Sequence, residues 1–128
     1  VTPEQQEVLD SKYGPTPPGG HADYNETSSM MAIRNDLVHM ELMDPEQSKP
    51  VDRGCMVGGC GVSTGIDWYA LRPYHFAGDP TGSSAEYGQD LLNFQAQNLA
   101  QLIRLIKEDQ IIPQLFNEFY GRQDHPSI

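Results

Sequence analysis

The feature that most constrains this chain is an apolar stripe in its C-terminal third. In "GDPTGSSAEYGQDLLNFQAQNLAQLIRLIKED", Leu92, Ala96, Leu99, Ile103 and Ile106 recur at alternating four- and three-residue spacing. That period lines side chains along one face of an α-helix. Ser83 and Glu86 read as a capping box at its start, hydroxyl and carboxylate satisfying open backbone N–H groups. A second apolar face runs from Glu26 to about His39 through Met30, Ile33, Leu37 and Met40, with Thr27 or Ser28 as its cap. Two amphipathic helices must bury those faces against a sheet or another body.

The remaining segments supply little that could serve as that body. Residues 3–12 read as a short helix with Val8 and Leu9 turned inward, and "YGPTPPGG" is excluded from regular structure by its prolines and paired glycines. "DPEQSKPVDRG" is a polar loop. Glycine density in "GCMVGGCG" argues for close backbone packing, whereas "IDWYALRPYHF" has the aromatic and branched residues of a strand, interrupted at Pro73. The tail adds a shorter apolar set, Ile111, Ile112, Leu115, Phe116 and Phe119. The expected fold class is α/β, with this chain forming part of a domain rather than a whole one.

With 8 Lys plus Arg against 18 Asp plus Glu, the 128-residue chain carries a net charge of -10. Such a charge repels phosphate backbones and anionic lipid, which argues against nucleic-acid and membrane-surface roles and favours a basic partner if there is one. Cys55 and Cys60 form a single C-x4-C pair with no second pair nearby, short of a zinc set. They read as small buried residues, and two cysteines build no disulfide scaffold, so a reducing cytosol is the expected compartment.

"GGHADYNETSSMMAIRNDLVHM" places His21 and Glu26 at the mouth of the first long helix. A carboxylate there is stabilised as the anion and serves as a helix-start acid or as a metal ligand. An imidazole five residues earlier is a loop histidine or a proton carrier. On their chemistry alone the two are half of a site, since two groups complete no common metal centre.

This segment resembles the His-Ala-Gly-x-x-Glu-Thr-Ser stretch of the creatininase family, including the "Arg-x-Asp-Leu-Val" that follows. "GDPTGSSAEYGQDLL" is similar to the family's Gly-Asp-Pro-x-x-Ala-Thr-Ala-Glu-x-Gly stretch, which opens its last long helix. Both occur in the family's order and together span roughly residues 19–110, the C-terminal half of a family member. The resemblance implies a three-layer α/β/α domain completed by another chain, and metal-dependent hydrolysis of a non-peptide C–N bond in a small, perhaps cyclic, amide. It implies that Glu26 matches a ligand of one of two divalent metal ions, for which zinc, manganese or iron is suitable. It also implies that His21 matches the histidine moving a proton to the leaving nitrogen.

The family's other ligands, in a Glu-x-His-Gly-Pro-His motif, a following aspartate and a His-Gly-Asn segment, do not occur in this sequence. His39, His75 and His125 read as structural or solvated. The expected partner is therefore a second polypeptide carrying the N-terminal half of the fold, a separate subunit or the other piece of a processed chain, within a higher oligomer. Asp23 replaces the family's glycine, and Ser83 and Ser84 replace its Ala-Thr. Asp23 favours the rival reading of a non-catalytic structural or regulatory subunit, while His21 and Glu26 at their expected spacing favour the enzyme. Trp68 and Tyr69 are candidates to line a substrate pocket, weighed against simple burial in a core. Asp67 is a candidate pocket acid, weighed against an exposed loop acid, and Tyr24, inside the His–Glu loop, is a further candidate to touch substrate.

Overall fold

The computed structural model describes residues 1–51, 53 and 61–125. Helix α1 spans Pro3–Tyr13, α2 Tyr24–Arg34, a short α3 Asp67–Leu71, α4 Ala85–Glu108 and α5 Ile111–Asp124. Three single turns of 3-10 helix, Asn35–Leu37, Met40–Leu42 and Pro45–Ser48, follow α2.

Each start has a local cause. Thr2 and Gln5 form a reciprocal capping box at α1, with Pro3 in the first turn, where its missing N–H costs nothing. Gly14, at φ 85°, ends that helix. At α4 the Ser84 hydroxyl accepts the Tyr87 N–H at 3.2 Å, so the cap lies one residue beyond the expected Ser83. The Ser83 hydroxyl instead donates to the Tyr24 carbonyl.

The α/β expectation is overturned, and with it the three-layer α/β/α domain: the described residues contain no strand, and all their regular structure is helical. In "IDWYALRPYHF" the Asp67 carboxylate accepts both the Thr64 N–H (2.7 Å) and the Thr64 hydroxyl (2.5 Å). That ring turns the chain into α3, overriding the strand preference of the residues inside it. The glycine-rich stretch with Cys55 and Cys60 lies outside the described residues. The second expected helix stops at Arg34, where the guanidinium turns onto Asp36 two residues ahead (2.8 and 2.7 Å) and the chain tightens into a 3-10 turn. His39 therefore sits between turns, not on a helix.

The chain divides into two compact units, Val1–Phe94 and Gln95–Ile128. The first has a small core of Leu9, Tyr24, Tyr87 and Leu91, with Tyr13 and Phe94 packed against it. Val8, the neighbour of Leu9, is exposed, because consecutive residues of a helix are turned about 100° apart and only one can face inward. Tyr87 anchors the core: its ring meets Tyr24 edge-on at 4.7 Å and Tyr13 at 5.3 Å, while its hydroxyl donates to Asn25 Oδ1 at 2.6 Å. Burial pushes the Tyr87 and Tyr24 phenols up from their ordinary value. Gly88 lets α4 cross α2 closely, since a Cβ there would lie 1.9 Å from the Ser28 carbonyl oxygen.

The second unit holds the end of α4 and all of α5. None of its described residues is buried. The stripe expected at Leu92 to Ile106 is helical throughout, yet Leu99, Ile103 and Ile106 remain exposed. No helix among the described residues is long and apolar enough to cross a membrane.

Candidate functional site

The mouth of α2 is built by Asp23. Its Oδ1 accepts the Glu26 N–H at 2.9 Å and its Oδ2 the Gly20 N–H at 3.0 Å, with only 6 % of the residue exposed. Asp23 is thus the helix cap, in place of the expected Thr27 or Ser28. The Thr27 hydroxyl donates to the Ala22 carbonyl, and the buried Ser28 hydroxyl accepts the Ser84 N–H.

Two sequence segments far apart are pressed together here. The Ala77 N–H donates to the His21 carbonyl at 2.9 Å. A Cβ at Gly20 would lie 2.2 Å from the Ala77 carbonyl oxygen, and one at Gly78 would lie 2.6 Å from the Asp23 Cβ. Both glycines are demanded by this approach of backbone to backbone. Between His21 and Asp23, Ala22 takes a left-handed conformation (φ 56°), uncommon for a residue with a Cβ.

That turn folds the Glu26 carboxylate back over the loop. Its Oε2 accepts the Ala22 N–H at 2.8 Å and stands 3.5 Å from His21 Nδ1. Both side chains are about half exposed. The indole of Trp68, on α3, meets the His21 ring edge-on, 5.4 Å between centroids and 88° between planes. The Thr64 hydroxyl and N–H hold the Asp67 carboxyl, beside Trp68, below the usual carboxylate range. An open cleft of about 410 Å³ reaches Glu26 but not His21, lined also by Ala22, Thr27 and the apolar side chains of Met30, Met40 and Phe76.

His21, Glu26 and Trp68 are therefore brought together. Tyr24 is not among them: its ring is buried in the core against Tyr87. Tyr69 lies under the Arg53 guanidinium at 5.1 Å. His39 pairs with Glu41 at 3.0 Å, His75 leans towards Tyr69 at 6.2 Å, and His125 lies exposed beyond the end of α5. Asp23 acts in this turn as a positioning residue, and its signal was present in the sequence, an Asp directly ahead of a helix with Glu26 at its third position.

No group of three or more His, Cys, Asp or Glu close enough to hold a metal ion occurs among the described residues. Metal centres take about four protein or water ligands. His21 and Glu26, two groups, do not by themselves make such a centre.

Comparison with known proteins agrees with the motifs. The sequence model of the family described as "Creatininase: Creatinine amidohydrolase" matches residues 2–103. No curated protein and no solved structure matched the chain.

Proposed function

The chain belongs to the creatininase family of metal-dependent amidohydrolases, and from that premise we propose that it supplies His21 and Glu26 to a hydrolytic site completed by a second polypeptide. The substrate would be a small amide whose non-peptide C–N bond is cut. The observation that supports this most is the pairing itself, His21 Nδ1 at 3.5 Å from a Glu26 oxygen on one tight turn.

A carboxylate beside Nδ1 favours the tautomer with its proton on that nitrogen. Nε2 is then the basic atom available to the reaction. As water adds to the amide carbonyl, Nε2 takes the water's proton and hands it to the leaving nitrogen, so the C–N bond breaks as acid and amine separate. Glu26 is this chain's carboxylate for a divalent metal ion, with zinc, manganese or iron suited to mixed nitrogen and oxygen donors. When bound, the metal supplies a lowered water pKa and a polarised carbonyl. The Trp68 edge holds the imidazole plane, and the cleft beside Glu26 offers apolar walls to the non-reacting part of the amide.

Asp23 no longer favours the non-catalytic alternative. Its charge is spent on two backbone N–H groups in the cap, so its presence is explained by the fold. The test is native mass spectrometry of the complex as isolated. Glu26→Gln is expected to lower bound metal and amidase activity together, and His21→Ala to lower activity roughly 100-fold or more with metal retained. Unchanged metal in Glu26→Gln would sink the ligand assignment.

A further inference from the structure

We infer, resting on the hydrolytic reading, that the cleft beside Glu26 is the pocket that selects the substrate. It takes amides whose non-reacting part is apolar and carries no negative charge, and Asp44 sets the charge preference. The pocket follows from the way the chain leaves α2. Met30, Leu37 and Met40 keep a helical period in the sequence, but the helix ends at Arg34 and three 3-10 turns follow. Met30 on α2 and Leu37, Met40, Leu42 and Met43 from the turns therefore line one cleft of about 410 Å³, together with Phe76. All of it lies within the unit Val1–Phe94. The volume falls in the range of small-molecule pockets, roughly 300–1,000 Å³. Leu37 and Leu42 are 55 % and 74 % exposed, so this wall gains by being covered. Three unbranched thioethers adapt to groups of varied outline. Glu26 belongs both to this lining and to the His21 turn. A group seated in the cleft is thus one end of a molecule whose amide reaches the pair.

Charge excludes one class of occupant. Glu26 and Asp44 are the acids of the lining, and among the described residues no Lys or Arg lines it. His39 lines it as well, but Glu41 stands 3.0 Å from its Nδ1. Glu26 is committed to the Ala22 N–H and, in the assembled site, to metal. Asp44 Oδ1 accepts the Glu46 N–H at 3.0 Å, and its Oδ2 has no hydrogen bond among the described residues. Residues 1–94 set this carboxylate in a field of 5 Lys plus Arg against 14 Asp plus Glu. A carboxylate or phosphate carried into the cleft meets like charge at Asp44, whereas a neutral or cationic end does not. The substrate is therefore an amide of an alkyl or aryl group, not of a nucleotide or an acidic peptide.

Methionine-methyl NMR of the full chain, without metal, tests it with three matched probes: N-hexylacetamide, mono-acetylated hexanediamine and N-acetylated aminohexanoate. N-hexylacetamide is expected to move the methyl signals of Met30, Met40 and Met43, and to leave Met31, outside the lining, in place. Shortening its alkyl chain should weaken binding by roughly two- to fourfold per methylene. The amine-ended probe should bind at least as well, and the carboxylate-ended one at least about fivefold more weakly. Asp44→Asn, which caps its turn as aspartate does, should reduce that discrimination to about twofold or less. Met43→Asp should weaken N-hexylacetamide about tenfold, while the volume-conserving Met43→Leu keeps binding within about threefold. Silent methyls, equal binding of the anionic probe, or discrimination that survives Asp44→Asn would overturn the proposal. So would methyls that shift when the second polypeptide is added and then ignore every probe, because that chain would fill the cleft. The hydrolytic reading fails separately: unchanged metal in Glu26→Gln removes it and leaves these methyl responses standing.

Discussion

Gly88 and Gly121 both lie inside helices, and the surroundings of each decide opposite outcomes for the same change. At Gly88 an added methyl would meet backbone, the Ser28 carbonyl carbon at 2.4 Å and its oxygen at 1.9 Å. Neither atom belongs to a side chain that could rotate away. Gly88→Ala is therefore expected to cost about 2–3 kcal/mol as α2 and α4 are forced apart. At Gly121 nothing lies within 4 Å, and Gly121→Ala should stabilise α5 by about 0.5–1 kcal/mol through the entropy of the unfolded chain. Thermal melts for the first and helix content for the second check the pair; equal effects of the two changes would refute the crossing argument. Asp23 shows how a residue can be noticed in a sequence and misassigned. In place of the family's glycine it counted for the non-catalytic reading, whereas its two oxygens accept the Gly20 and Glu26 N–H groups and cap α2.

At the scale of elements, α1 and α4 are tied across their flank by hydrogen bonds that converge on a single carboxylate oxygen. Lys12 Nζ and the Tyr13 hydroxyl each donate to Asp90 Oδ2 at 2.8 Å. The Lys12 hydrogen bond, and then that from Tyr13, hold the Asp90 carboxyl below its ordinary range, while the Lys12 amine is pushed upward chiefly by Asp90. A carboxylate depressed in the folded state contributes stability above its unfolded pKa of about 3.9 and loses it as pH falls through the folded value. Thermal stability should thus hold from neutral pH to about pH 5 and decline below about pH 4. Asp90→Asn should lower Tm at pH 7 and flatten that acid decline. Parallel Tm profiles for the two proteins would remove Asp90 from the acid response. Among the helices, α4 was legible because its period repeats over five stripe positions and propensity agrees with it. The end of α2 was not, because Arg34 and Asp36 reward a local turn that no apolar period records. The α3 region was misread as strand for a related reason: four hydrogen-bonding atoms at Thr64 and Asp67 outweigh the preferences of Trp68 and Tyr69. His21 and Glu26 could be paired from their spacing alone, but the Trp68 contact spans a long stretch of chain and has no signature in either segment.

Across the whole molecule, charge is unevenly divided along the chain. Residues 1–94 hold nine more acidic than basic side chains, and the exposed helical faces of residues 95–128 are nearly neutral. Excess like charge destabilises a compact state by self-repulsion, and salt screens it. Raising ionic strength is expected to raise the Tm of the full chain by a few degrees. A Tm that falls with salt would show that ion pairs such as Lys12–Asp90 outweigh the repulsion.

The left-handed turn at Ala22 bears on the history such a site can have. A β-branched residue cannot occupy that backbone conformation without severe strain, while glycine, asparagine and aspartate can. Sequence drift between His21 and Asp23 is thereby channelled through a handful of small or side-chain-bonding residues. The turn acts as a filter on inheritance, passing variants that keep the imidazole and the carboxylate face to face and rejecting those that would let them part.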